Sequence, residues 1–268
     1  MCELLAMSAR FPTTIHLSLD ELARHGGGTG PHKDGWGLAF MEGGDALVVR
    51  EPGAASESAW VGFLKKHNLR STAVVAHIRR ATQGEIRLRN TQPFSRELGG
   101  RIHVFAHNGM LPGIEADRRF GVRRFQRVGD TDSEHAFCAL MDRLSPLYEA
   151  GLPSLEDRLS ILVAFAAELR TLGPANFIYA DGDAVFAHAH QRRDNTGVIR
   201  PPGLHVLCRT CSPDADGATL AGVTIAHGER QEVALLASVP LSGEPWEALA
   251  AGEIVVLREG RLIQRVPG

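Results

Sequence analysis

Two helical patterns in this 268-residue chain, residues 135–144 and 155–172, stand together in its middle, with strand-like runs on both sides. Ahead of them lie runs at 2–8, 36–41, 46–50, 72–78 and 101–106; behind them lie runs at 176–180, 184–190, 204–208, 219–225, 232–239 and 254–258. Blocks of strands and helices, rather than strict alternation, predict layered α+β packing and not a doubly wound parallel sheet. The second helix should stop at Gly173-Pro174. Two further helical patterns precede these: 17–25, with Ser18 and Glu21 spaced as a capping box, and 58–67. Glu42-Gly43-Gly44-Asp45 and Asp181-Gly182 read as hairpin turns. No repeat, low-complexity tract or long linker interrupts the pattern, so a single domain over 1–268 is expected.

Composition narrows the class. Hydrophobic residues make up 44% and charged residues 22%, enough apolar content for a sizeable core. A net charge of -2 gives no basic surface for nucleic acid and none for a membrane. No apolar run approaches the ~18 residues of a membrane span. The N-terminus lacks a basic region followed by an apolar stretch, so no signal peptide is expected. Four cysteines do not suggest a disulfide framework, which points to a cytoplasmic protein.

The chemistry-bearing residues sit at run ends. Removal of Met1 would make Cys2 the N-terminal residue, joining a thiol and a free α-amine in one residue. The thiolate is the attacking species. An α-amine, with a reference pKa of about 7.7 to 8.0, can take up its proton. Residues 26–37 hold six glycines, a loop whose backbone must approach a ligand or the N-terminus, and they do not match a phosphate loop. The run at 72–78 leads into the polar segment Arg79-Arg80-Ala81-Thr82-Gln83-Gly84. The run at 101–106 ends in His107-Asn108-Gly109, where Asn-Gly signals a tight turn. In Gly129-Asp130-Thr131-Asp132-Ser133-Glu134, Thr131 or Asp132 can cap the following helix. Cys208 and Cys211 form a C-x-x-C, and His188 and His190 share one strand face. Together they are either half of a zinc site with its complement or an ordinary strand-loop pair, and no metal site is expected. Cys138 reads as core.

Four stretches in this order, Met1 to Leu5, Ala76 to Thr82, Phe105 to Gly109 and Gly129 to Glu134, resemble the class II glutamine amidotransferases. The Gly-rich segment is similar to the stand-alone bacterial subgroup known as YafJ-type. The resemblance implies the four-layer αββα N-terminal-nucleophile hydrolase fold, with two stacked, mainly antiparallel sheets. It implies that Cys2 attacks the γ-carbonyl of glutamine, that its own amine relays the proton, and that Asn108 and Gly109 supply the oxyanion hole. Arg79 would hold the substrate α-carboxylate and Asp132 its α-ammonium. Thr82 would belong to the loop that closes over the substrate, and Trp36 would line the pocket or only pack. His77 and His107 would be hydrogen-bonded beneath the cleft. No cofactor is implied. Arg80, Gln83 and the stretch Asn90-Thr91-Gln92-Pro93 depart from patterns common in the family and bear on the loop's contacts. Three functions remain open: a glutaminase unit serving a separate synthase subunit, a free-standing γ-glutamyl hydrolase, and a silent binding protein of the same fold.

Overall fold

The computed structural model describes residues 2–14, 20, 21, 23–193, 197–211 and 230–268. The seven-stranded sheet has the order β13 (Glu247–Ala248), β11 (His205–Cys211), β12 (Gln231–Ala237), β1 (Glu3–Thr13), β4 (Ser71–Ile78), β2 (Trp36–Glu42), β3 (Asp45–Glu51). The six-stranded sheet has the order β15 (Arg261–Val266), β14 (Ile254–Arg258), β8 (Val185–His188), β7 (Ala175–Ala180), β6 (Arg101–Gly109), β5 (Phe94–Leu98). Neighbouring strands in both are antiparallel. A small ribbon pairs β9 (Arg192–Arg193) with β10 (Ile199–Arg200).

Side-chain size sorts the layers. Residues facing between the sheets are small or aliphatic, among them Ala6, Ala39, Ala106, Ala180, Ala187 and Ala234, so the sheets can stack closely. The outer face of the six-stranded sheet carries Phe105, Phe177 and Phe186, which meet α2 (Asp132–Leu144) and α3 (Leu155–Leu169). The outer face of the seven-stranded sheet carries Leu5, Met7 and Leu38 against α1 (Ala59–His67). The result is the αββα arrangement of an N-terminal-nucleophile hydrolase. Ser58 caps α1 by accepting from Trp60 and Val61, and Thr131 caps α2 by accepting from Glu134.

Strand parity then places the chemistry. On β1, Leu4 and Ala6 point between the sheets and Leu5 and Met7 point out. The same alternation turns Cys2 inward and Glu3 outward. On β6, Val104 and Ala106 point inward and Phe105 outward, so Asn108 faces in and His107 out.

Several boundaries differ from expectation. Asn108-Gly109 is not a turn: β6 continues through it, because β7 supplies the partners Asn176 and Ala175. The helix expected over 135–144 starts at Asp132, one residue past its Thr131 cap. Strands β5, β13 and β15 were not anticipated. The expected strand at 219–225 lies outside the described residues. So do Met1 and much of the 17–25 pattern, including the Ser18 cap; downstream, Arg24–Gly28 forms a single π-helical turn.

Candidate active site

Cys2 sits immediately before β1, against the chain leaving β4. The Arg80 N–H donates to its Sγ at 3.3 Å, and its thiol lies 3.5 Å from the Arg80 carbonyl. Burial pushes the Cys2 thiol up; the Arg80 N–H and the Arg79 charge pull the other way without cancelling it. The resting group is therefore a thiol, and a base is needed to make it a nucleophile.

Asn108 reaches Cys2 from the facing sheet. Its Nδ2 donates to the Cys2 carbonyl at 2.5 Å and to Ser238 Oγ at 3.5 Å, while its buried Oδ1 has no partner. Ser238 also accepts from the Leu4 N–H at 3.0 Å, so one hydroxyl ties β1 and Asn108 together. Behind them, Asn176 donates to the Asn108 carbonyl at 3.0 Å. Gly109 must be glycine here, since a Cβ would collide with the Pro174 carbonyl.

Arg79 ends β4 and is only 3% exposed. Its guanidinium donates to the carbonyls of Gln83 (2.8 Å), Gly84 (3.1 Å) and Glu85 (3.1 Å), wrapping the following loop around its head. Gly84 makes that wrap with φ +74, the left-handed region that suits glycine. Asn90, fully buried, fastens the other end: its Nδ2 donates to the Glu85 carbonyl at 3.1 Å and its Oδ1 accepts from Asp130 N at 2.8 Å. Asp34 completes the frame by accepting from Ala81 N at 2.8 Å. Thr82 is exposed on this loop.

Asp132 is 8% exposed. Its carboxylate accepts from Leu111 N at 2.8 Å and Ser133 N at 2.7 Å, stitching the chain just past Gly109 to the start of α2. Those bonds leave acceptor capacity on a group with about four lone-pair sites. The structure therefore brings Cys2, Asn108 and the Arg79 segment into direct contact, with Asp132 bonded two residues beyond Gly109. It separates Trp36 from them. Trp36 is fully buried in the outer core of the seven-stranded sheet, its indole N–H on Glu51 at 3.1 Å, so packing is its role here.

The histidines divide. His107 Nδ1 pairs with Ser133 Oγ at 2.8 Å, as expected of a structural ring, and burial lowers its pKa against the pull of Asp132. His77 has no partner on either ring nitrogen, and burial drives its pKa down to about 3, so it is neutral. Its ring faces between the sheets, with the His107 backbone and the Arg79 charge as polar neighbours. His188 directs Nδ1 to the Ala175 carbonyl at 2.6 Å and lies on the other sheet from Cys208, so the two do not converge. Among the described residues no group of three or more His, Cys, Asp or Glu side chains could hold a metal ion. Nor, among them, is any helix long and apolar enough to cross a membrane.

Sequence reading missed Asn90, Asp34 and Ser238. Asn90 was noticed only as a departure from a family pattern. Asp34 carried a signal in its place amid the glycines. Ser238 had none, since the partners of its hydroxyl lie more than a hundred residues away.

Residues 1–267 match the family model for class II glutamine amidotransferases. The chain is 36% identical to the Escherichia coli (strain K12) protein YafJ, which bears the name of a glutamine amidotransferase, over 94% of this chain and 96% of that one. A similarly named protein of Haemophilus influenzae is 34% identical, over 100% of this chain and 88% of its own length. The crystal structure of a predicted glutamine amidotransferase from Pseudomonas aeruginosa PA01 superposes with a TM-score of 0.68 at 31% identity, covering 98% of this chain and 100% of that one. The glutamine phosphoribosylpyrophosphate amidotransferase of B. subtilis shares the fold at a TM-score of 0.58 and 15% identity, with 99% of this chain covering 49% of that one. With the family model spanning nearly its whole length and relatives of this identity, the chain belongs to the class II glutamine amidotransferases.

Proposed function

We propose that this protein hydrolyses the γ-amide of glutamine through Cys2. Removal of Met1 frees the α-amine. That amine takes the thiol proton as the sulfur bonds to the γ-carbonyl carbon. The C–N bond then breaks, the amine returns the proton to the departing ammonia, and a thioester remains. Water cleaves the thioester, releasing glutamate and restoring the thiol. Asn108 Nδ2 and the Gly109 N–H receive the oxyanion. Arg79, turning from its loop carbonyls, grips the α-carboxylate, and Asp132 takes the α-ammonium. Thr82 rides on the loop that closes over the substrate. The reaction needs no cofactor.

The observation that supports this most is the 2.5 Å contact between the Asn108 amide and the Cys2 carbonyl, which joins a side-chain N–H of one sheet to the backbone of Cys2 on the other. The test is an intact-mass spectrum after incubation with a diazo-ketone glutamine analogue. Loss of Met1 plus one adduct, absent in Cys2→Ala, is the expected result. Loss of Met1 without an adduct would sink the glutamine reading.

A second reading, a γ-glutamyl peptide or amine hydrolase acting alone, is favoured by one observation. The chain covers nearly all of its YafJ and P. aeruginosa relatives, so these have little length for a synthase. Faster release of an amine from a γ-glutamyl peptide than of ammonia from glutamine, with no second protein present, would select it. Ammonia release that rises when a co-purified synthase receives its acceptor would select a partnered amidotransferase instead.

A further inference from the structure

We infer that Glu3, His25 and His32 form a latch that pins the Gly-rich segment to the strand carrying Cys2 and thereby fixes the direction of the nucleophile; this rests on Cys2 being the nucleophile. A chain terminus frays unless something ties it down. Cys2 itself touches little beyond the Arg80 backbone and Asn108. The nearest side-chain anchor is the next residue, and strand alternation sends Glu3 to the face opposite the thiol, where it does not block the cleft.

There Glu3 is largely enclosed, its side chain 14% exposed. Its Oε2 meets His25 Nδ1 at 2.7 Å, and its Oε1 lies 4.0 Å from His32 Nδ1. His32 Nδ1 also lies 3.3 Å from the His25 carbonyl. Glycine permits this return of the chain: a Cβ on Gly26 would press on Ala55, and one on Gly30 would collide with the His25 backbone. The glycines thus bring two imidazoles, seven residues apart, to one carboxylate.

The groups acting on His25 are Glu3, Glu21 and Arg24; those acting on Glu3 are His25, His32 and Arg192. The Glu3 hydrogen bond raises the His25 pKa above 6.5, against burial. Burial works to raise Glu3, yet His25 outweighs it and holds the carboxyl below 4.5. A raised histidine contributes its pairing below its ordinary pKa and loses it as pH climbs through the raised value. A lowered carboxyl contributes above its ordinary pKa and loses it as pH falls through the depressed one. The latch is therefore closed between the two and opens on the alkaline side above pH 6.5.

The test measures the rate of labelling by the diazo-ketone analogue from about pH 5 to about pH 9 in wild type, Glu3→Gln, His25→Asn, His25→Arg and Cys2→Ala. Small misplacements of a reacting group cost up to about 10²-fold, so Glu3→Gln and His25→Asn should label about 10- to 100-fold more slowly. Protection by glutamine should stay near wild type, separating orientation from binding. In wild type an alkaline fall as His25 loses its proton should work against the gain as the α-amine loses its own. His25→Arg keeps a cation that does not titrate, so it should retain much of the rate and lose the alkaline fall. Wild-type rates in Glu3→Gln and His25→Asn, or an unchanged alkaline fall in His25→Arg, would overturn the latch. Should Glu3→Gln or His25→Asn melt early, the His25→Arg profile alone decides. No labelling of wild type, or equal labelling of Cys2→Ala, would instead remove the nucleophile and the latch with it.

Discussion

At the end of the sandwich away from Cys2, Arg158 donates to Asp181 at 2.6 Å and to Asp183 at 2.7 Å, Tyr148 adds a bond to Asp181 at 2.8 Å, and Arg258 reaches Asp183 at 2.8 Å. At the Cys2 end, Asn108 Oδ1 and both ring nitrogens of His77 are buried without partners, and the thiol has only weak contacts with the Arg80 backbone. The first cluster spends its hydrogen-bonding capacity on itself. The second keeps capacity in reserve, and an unpaired buried polar group costs stability. One fold thus holds a saturated end that supports it and an unsaturated end that can meet a substrate.

Mutation should separate the two ends, in declining order of effect. Cys2→Ala should lower turnover by about 10⁴-fold or more while leaving the melting temperature near wild type, read by ammonia release and calorimetry. Loss of stability in parallel would erase the contrast. Arg158→Met, in the saturated end, should cost about 3 to 5 kcal/mol because it leaves the buried Asp181 carboxylate without a cation, with kcat little changed at a permissive temperature. Urea unfolding checks it. Asn108→Ala should lower kcat by about 10²- to 10³-fold through loss of an oxyanion donor. A KM change alone would reassign the residue to binding. Asn90→Ala, which frees the Arg79 loop without touching the nucleophile, should act mainly on KM, and an unchanged KM would remove Asn90 from the site's support.

A pH experiment sharpens the same contrast. Burial works to raise the Asp181 carboxyl, but the Arg158 charge overrides it and holds it below 3.8. Its stabilisation is therefore present above that ordinary value and is lost as pH falls through the depressed one. Far-UV circular dichroism should show acid unfolding at higher pH in Arg158→Met than in wild type. Coincident acid transitions would mean the saturated end does not govern acid stability.

Local signals made much of the scaffold legible. The β2–β3 hairpin, the helical pattern from Ser58 and the runs that form β4 and β6 all lie within a few residues of their causes. Strand β15 escaped because its side chains are mostly exposed and carry no apolar rhythm, and β5 because Ser95, Arg96 and Glu97 interrupt so short a run. Asn108-Gly109 was misread because a turn-forming pair becomes strand when a partner backbone is supplied, and β7 lies some seventy residues downstream. The proposed nucleophile, the proposed oxyanion residues and Arg79 were named through the family resemblance. Their support, in Asn90, Asp34, Ser238 and Glu3 with His25, is a matter of tertiary contact, and no spacing in the sequence encodes it.

The position of β1 sets an order of events in the cell. It is flanked by β4 on one side and by β12 on the other, where Leu5 faces Ala237. A strand near the start of the sequence is thus held by one more than two hundred residues downstream. Until residue 237 has been made, β1 lacks its β12 neighbour and has an open edge. The strand that follows Cys2 is therefore completed late, only once a segment more than two hundred residues downstream has been made.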